Sequence, residues 1–335
     1  MHALRPTRLG KLVAALAATT LAVSACGSAS TATGGNNGTT KSRVIFVNMY
    51  SRALPYFQQI VEGAQEEGKK FGWTVEVTWG KTDPQLQFNQ IQNAVTKQPD
   101  GGIVAPVDQE ALIPAFQLAS SGGVKMVTVA DDIAKKGQDQ ELAFVGVEYT
   151  EIGKKKAQWI VDKLGGKGTV AVIHGIRGLH FSEAQWEGAK AVFDANPGIK
   201  LINGPYAGEF SADAGMKAAE NVLTANPSVN ALYFDNDDIA LGGILAAKAR
   251  NIPMDKIIIV GTDGGKPARD AVKAGDLDYT ISLCGYATGV RAMDVLKDKL
   301  DSNKSPDQHV VPVTVLDFTG QTVDENNKLV DAKKC

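Results

Sequence analysis

What most limits the fold of this chain is an alternation. From residue 43 onward, short β-rich runs take turns with stretches of helical periodicity. The expected strands are Val44–Met49, Thr74–Thr78, Gly102–Ala105, Lys125–Val129 and Phe144–Val147. A second series is Gly168–Ile173, Lys200–Asn203, Ala231–Phe234, Lys256–Val260 and Tyr279–Leu283, with Val313–Phe318 as a late addition. Several are unbroken apolar runs, such as Ile257-Ile258-Ile259-Val260. Runs of that kind suit strands covered on both faces by helices, as in parallel sheets. Between them, Phe57, Ile60, Val61 and Ala64 recur at helical spacing. Asp83-Pro84 and Ser211-Ala212-Asp213 supply helix starts, and Asn196-Pro197 and Asn226-Pro227 mark exits. The alternation predicts a doubly wound α/β architecture. Eleven strands overfill one sheet, and 335 residues leave room for about two domains. Two parallel sheets of five or six strands are therefore expected.

The first 25 residues read as an export signal, outside the fold. Arg5, Arg8 and Lys11 form a positive start, and Leu12 to Ala25 is an apolar stretch too short for a stable membrane span. It ends in Val23-Ser24-Ala25-Cys26, which resembles a bacterial lipobox and implies lipidation of Cys26. Gly27 to Ser42 has almost no apolar content and reads as a flexible tether. The expectation is an exported protein held by lipid to the outer face of the plasma membrane. In a compartment that permits disulfides, Cys284 and Cys335 are expected to pair, the alternative being two free thiols.

Several segments carry a family resemblance. Leu54-Pro55-Tyr56-Phe57 follows the first strand, and Pro99-Asp100-Gly101-Gly102-Ile103-Val104-Ala105-Pro106 spans the third. Asp235-Asn236-Asp237-Asp238-Ile239-Ala240-Leu241-Gly242 and Ile259-Val260-Gly261-Thr262-Asp263-Gly264 follow in order. Together they resemble the type I periplasmic sugar-binding proteins, and among them the ribose-binding branch. The resemblance implies two doubly wound parallel-sheet lobes joined by a three-strand hinge. Residues 43–147 with 285–312 would form one lobe, and 148–284 with 313–335 the other. It also implies a monomeric receptor that passes a sugar or polyol to an ABC permease, without a cofactor. The alternative on the same fold is a receptor that reports a ligand, such as a signalling furanose, to a sensor.

The site expected from these segments lies at strand ends, where open α/β sheets bind ligands. Asp263 and Asn236 are hydroxyl partners, since a carboxylate accepts two hydrogen bonds and an amide both donates and accepts. Asn236 also has the form of a helix cap. Tyr56, Phe57 and Phe210 are candidates to cover the C–H faces of a sugar ring, although Phe57 also fits core spacing. One of Asp131 and Asp132 is expected to contact ligand and the other to be solvated. Glu148 stands at the first crossing, as a contact or a hinge support. Two departures set the site apart from the ribose-binding pattern: Gln185 stands where the family has an Arg, and Leu283 where it often has a Gln. Arg177 and His180 lie nearby as possible donors.

Other function classes lack their signatures. The net charge of −2 and the absence of a basic run exclude a nucleic-acid footprint. No Cys/His metal spacing, G-x-S-x-G elbow or completed P-loop is present, so no enzyme and no metal are expected. A sugar-responsive repressor would carry a helix-turn-helix where this chain has an export signal and tether.

Overall fold

A computed structural model of the chain describes residues 42–335. The export signal, Cys26 and most of the tether lie outside the described residues. The first sheet is built from β1 (Val44–Met49), β2 (Thr74–Trp79), β3 (Gly101–Val104), β4 (Lys125–Val129) and β5 (Ala143–Gly146). The helices between them are α1 (Pro55–Phe71), α2 (Pro84–Thr96) and α3 (Ile113–Ser121), with a 3-10 turn at Lys135–Gln140 before β5. The chain then builds α4 (Tyr149–Lys163), β6 (Gly168–His174), α5 (His180–Asp194), β7 (Ile199–Tyr206) and α6 (Ala212–Ala225). It continues through β8 (Ala231–Phe234), α7 (Asp237–Ala249), β9 (Ile258–Val260), α8 (Lys266–Ala274) and β10 (Thr280–Ser282). The last elements are α9 (Gly285–Ser302), β11 (Val310–Pro312), β12 (Leu316–Phe318) and α10 (Val323–Asp331).

Two parallel sheets result. The first has six strands in the order β11-β5-β4-β3-β1-β2, and the second has four, β7-β6-β8-β9. Bridges Val260–Tyr279 and Asp263–Ser282 carry the second sheet on to β10, against which β12 runs antiparallel. The residue pattern follows position in the sheet. Central β3 and β8 are buried at every residue, whereas edge strand β2 alternates exposed and half-buried side chains. An edge strand with one solvated face needs that alternation; a strand between helical layers does not. The chain passes between the sheets three times, at 146–149, 282–285 and 312–316.

The expected strands are present with shifted ends. Lys256 closes a 3-10 turn, so β9 begins at Ile258. The late strand expected at Val313–Phe318 is two short strands instead, because the chain changes sheets between Pro312 and Leu316. Helix α10 was not expected.

α9 comes after the second-sheet strands in sequence yet packs on α1 beside the first sheet. Glycine makes that contact possible. A β-carbon on Gly289 would lie 2.0 Å from the Ile60 carbonyl oxygen, and one on Gly63 2.2 Å from that of Tyr286. The same reciprocal pairing recurs between α4 and α5 (Gly153, Gly188) and between α6 and α7 (Gly215, Gly242). Helix backbones at this distance bury main-chain and side-chain surface that a larger residue would hold apart. Cys284, in the left-handed region at φ 50°, turns the chain from β10 into α9 and is bonded to Cys335, which fastens the C-terminus to the crossing.

Substituting Gly289 with Val should lower unfolding free energy by about 1–3 kcal/mol through overpacking against α1. A urea midpoint unchanged from wild type would contradict this account of the α1–α9 contact.

Candidate functional site

The polar groups of the site are aimed by two unusual turns and one buried carboxylate. At the end of β4 the Asp131 amide donates to the Val129 carbonyl at 2.7 Å, closing a tight turn about Ala130, which sits at φ 63°. A non-glycine residue there is strained, and such strain is tolerated where the surroundings hold it. The turn points Asp131 inward, where it is 1% exposed. At the end of β9, Asp263 has φ 114° and its amide donates to Ile281 on β10 at 2.9 Å. The next residue, Gly264, has φ 66°, and a β-carbon there would meet Ser282 at 2.4 Å.

Asp237 holds this second turn in place. Its Oδ2 accepts from the amides of Gly264 and Gly265 at 2.8 and 3.2 Å, and its Oδ1 accepts from Thr280 Oγ1 at 2.7 Å. Its neighbour Asn236 caps α7 by accepting from Ile239 N at 3.1 Å, while its Nδ2 donates to Asp263 Oδ2 at 3.3 Å. The expected helix cap is thus present, and the same side chain is tied to Asp263. Its neighbour on the other side, Asp235, is 0% exposed; its Oδ2 accepts from Gly175 N at 2.7 Å, and the Ser182 hydroxyl is a further polar neighbour.

The two sheets present these groups to each other. From the first sheet come Tyr50, Tyr56 and Asp131; from the second come Asp263, Asn236 and Asp235. His180, the first residue of α5, binds Asp131 Oδ1 through Nδ1 at 3.0 Å, which joins the two sides directly. Burial raises the Tyr50 hydroxyl well above its ordinary value, and the carboxylates of Asp131 and Asp263 add to the shift. Asp131 and Asp263 therefore act on one tyrosine from opposite sides. Desolvation raises Asp131 while the His180 bond lowers it. Asp263 is raised by desolvation, then by Asp237 and Asp238. The His180 ring is raised chiefly by its bond to Asp131. Aromatic rings line the gap: Phe57 meets Tyr50 at 4.5 Å, Tyr149 meets Phe181 at 4.9 Å, and Phe181 meets Phe210 at 5.7 Å.

Three buried polar atoms at these strand ends make no close hydrogen bond: Tyr56 Oη, Asp131 Oδ2 and Asp235 Oδ1, whose polar neighbours are Thr288, Tyr50 and Ser182. Such atoms are costly unless something satisfies them. Beneath them lies Lys156 of α4, 0% exposed, which donates to the Phe234 carbonyl at 2.8 Å and sits over the Tyr233 ring. Burial pushes its ammonium down to about 7, against the attraction of Asp235, Asp237 and Asp263.

Four expected site residues stand elsewhere or are spoken for. Asp132 is half-buried: it accepts from Gln138 Nε2 at 2.7 Å and lies 2.9 Å from His309 Nε2. Glu148 is exposed at the start of α4 and makes no capping bond. Gln185 is fully buried, with its Nε2 donating to the carbonyls of Phe181 and Asp235 and its Oε1 accepting from Thr262. It stitches strand ends together and has no donor to spare. Phe57 is 2% exposed and belongs to the core as much as to the gap. Sequence reasoning missed Tyr50, Tyr149, Asp235 and Lys156. Asp235 was legible as the first residue of its motif, and Tyr50 as the residue ending β1. Nothing in the spacing marked Lys156, which sits on an apolar helix face.

A family model for the periplasmic binding protein domain matches residues 45–304. The chain belongs to this family. Its members work outside the cytoplasm and capture solutes. Among relatives of this periplasmic binding protein, the D-allose-binding periplasmic protein of Escherichia coli is 30% identical over 258 residues, covering 75% of this chain and 82% of its own. A xylitol-binding protein of Mycolicibacterium smegmatis is 26% identical over 333 residues, covering 95% of this chain and 90% of its own. The solved structure of a periplasmic ribose ABC transporter protein from Conexibacter woesei is 37% identical with a TM-score of 0.79, over 88% of this chain and 97% of that one. No described helix is long and apolar enough to cross a membrane.

Lys156 gives the site a pH signature. Between its folded value of about 7 and its ordinary 10.5, the unfolded chain binds the extra proton. The stability of the wild type relative to Lys156→Met should therefore rise with pH across that window, by up to about 1.4 kcal/mol per pH unit. A stability difference that stays flat there would contradict the burial of an ammonium beneath the site.

Proposed function

We propose that this chain is the solute receptor of an ABC importer and closes two lobes around a sugar or sugar alcohol. The lobes are residues 43–147 with 285–312 and residues 148–284 with 313–335. An export signal at 1–25 directs the chain across the membrane, and a lipidated Cys26 holds the receptor at the outer face of the plasma membrane. The observation that carries this reading is the set of buried polar groups of Tyr56 and Asp131 on one sheet and of Asp235, Asn236 and Asp263 on the other, three of whose atoms make no close hydrogen bond. Hydroxyl groups answer such atoms, because each both donates and accepts. Rings on both sides suit the C–H faces of the same molecule. Relatives described as binding ribose, D-allose and xylitol support the class.

The energetics are consistent with this chemistry. A micromolar dissociation constant needs about 8 kcal/mol. Hydrogen bonds to charged groups contribute roughly 1.5–3 kcal/mol each, so Asp131, Asp235 and Asp263 with the aromatic surface supply enough after the ordering cost. Closure then converts occupancy into a shape that a permease recognises.

Calorimetric titration with pentoses, hexoses and alditols should find at least one ligand in the micromolar range or tighter. Asp263→Ala should weaken it at least tenfold, or about 1.4 kcal/mol, with the melting transition still cooperative. Unchanged affinity in that variant would remove Asp263 from the site, and silence across the whole panel would remove the ligand class.

A further inference from the structure

Asp132, which turns away from the gap, is one of three potential ligands gathered on the far side of β4. It follows β4, Glu141 lies two residues before β5, and His309 comes just before β11. His309 Nε2 stands 2.9 Å from Asp132 Oδ2 and 3.6 Å from Glu141 Oε1. All three potential ligand atoms lie within 4.8 Å of one another. The Glu141 side chain is 0% exposed, with Thr128 and Asp132 as its polar neighbours. Such a buried carboxylate is expensive, and its Oε1 is aimed at His309 Nε2 and Asp132.

We propose that Asp132, Glu141 and His309 form a binding site for one divalent transition-metal ion of the zinc class. One imidazole and two carboxylates suit that class, whereas calcium and magnesium favour all-oxygen shells with more ligands. A tetrahedral zinc site with bonds of about 2.0–2.2 Å separates its ligand atoms by roughly 3.3–3.6 Å. The observed separations of 2.9 and 3.6 Å fall close to that range. A cavity of about 350 Å³, lined by Gln109, Lys135, Gln138 and Glu148, adjoins the cluster and leaves room for a water in the fourth position. Asp132 Oδ1 is held by the Ile133 amide at 2.7 Å, which orients the carboxylate. The ion would tie β4, β5 and β11 together, one residue from Asp131 and a few residues ahead of the third crossing. Metal binding here is independent of the sugar-receptor reading.

A proton is the rival occupant. Burial, then the neighbouring Asp132, raise the Glu141 carboxyl above its ordinary value, so a proton held on Glu141 would answer the same geometry. The two are separable. Full-length protein, stripped with a chelator, is titrated with zinc chloride against a chromophoric competitor. The expected result is one ion per chain. Glu141→Gln and His309→Asn should each weaken binding at least about tenfold. Zinc should also raise the melting temperature of the wild type and not that of Glu141→Gln, a near-isosteric change chosen to preserve folding. An anomalous peak at the zinc edge among these three side chains would complete the case. Equal zinc affinity in wild type and both variants, or no stoichiometric binding at micromolar protein, would overturn the proposal and leave the proton in place.

Discussion

The buried carboxylate of Asp237 is the contact on which the rest of the site depends. It accepts from two consecutive amides, Gly264 and Gly265, and from the Thr280 hydroxyl. Those bonds lock the turn after β9 to the start of α7 and to β10. The lock fixes Asp263 at a φ of 114°, a conformation that a free aspartate would leave. Asn236, next to Asp237 in sequence, is fixed by the same helix start and reaches Asp263. Charge-assisted bonds to backbone amides are strong enough to hold such geometry. The two segments that stand out in the sequence are therefore two halves of one interlocked turn.

Against this rigid floor the opposite sheet brings Asp131, held by its own strained turn at Ala130. Both sides thus present carboxylates, and burial makes each costly to keep charged. Lys156 lies beneath the second-sheet side, and His180 reaches from that same side across to Asp131. The remaining lone pairs require donors, and a polyol brings several on one small frame. The chain crosses between the sheets three times, and the Cys284–Cys335 bond fastens the tail at one of those crossings.

Much of this was legible in the residues. Unbroken apolar runs such as that ending at Val260 gave the buried parallel strands, because only double-sided burial tolerates them. Asn236 and Asp263 were legible because turn chemistry and hydroxyl chemistry select the same residue types. What failed did so for physical reasons. Gln185 carries the right groups at a ligand-facing position of the family, yet its amide is spent on Asp235 and Thr262. Asp131 and Asp132 differ by one residue, and the direction of each depends on the φ of Ala130, which composition does not encode. Lys156 occupies an apolar helix face, where only the neighbouring carboxylates in space explain it. The cluster of Asp132, Glu141 and His309 is assembled from three distant segments, so no spacing pattern announces it.

The central claim is that a solute completes the polar groups between two lobes and holds them together. Pulsed electron–electron resonance between spin labels at Leu118 on α3 and Leu245 on α7, both exposed, measures that directly. With the tightest-binding polyol added, the distance distribution should narrow and shift to shorter values than in ligand-free protein. Identical distributions with and without a saturating ligand would contradict closure.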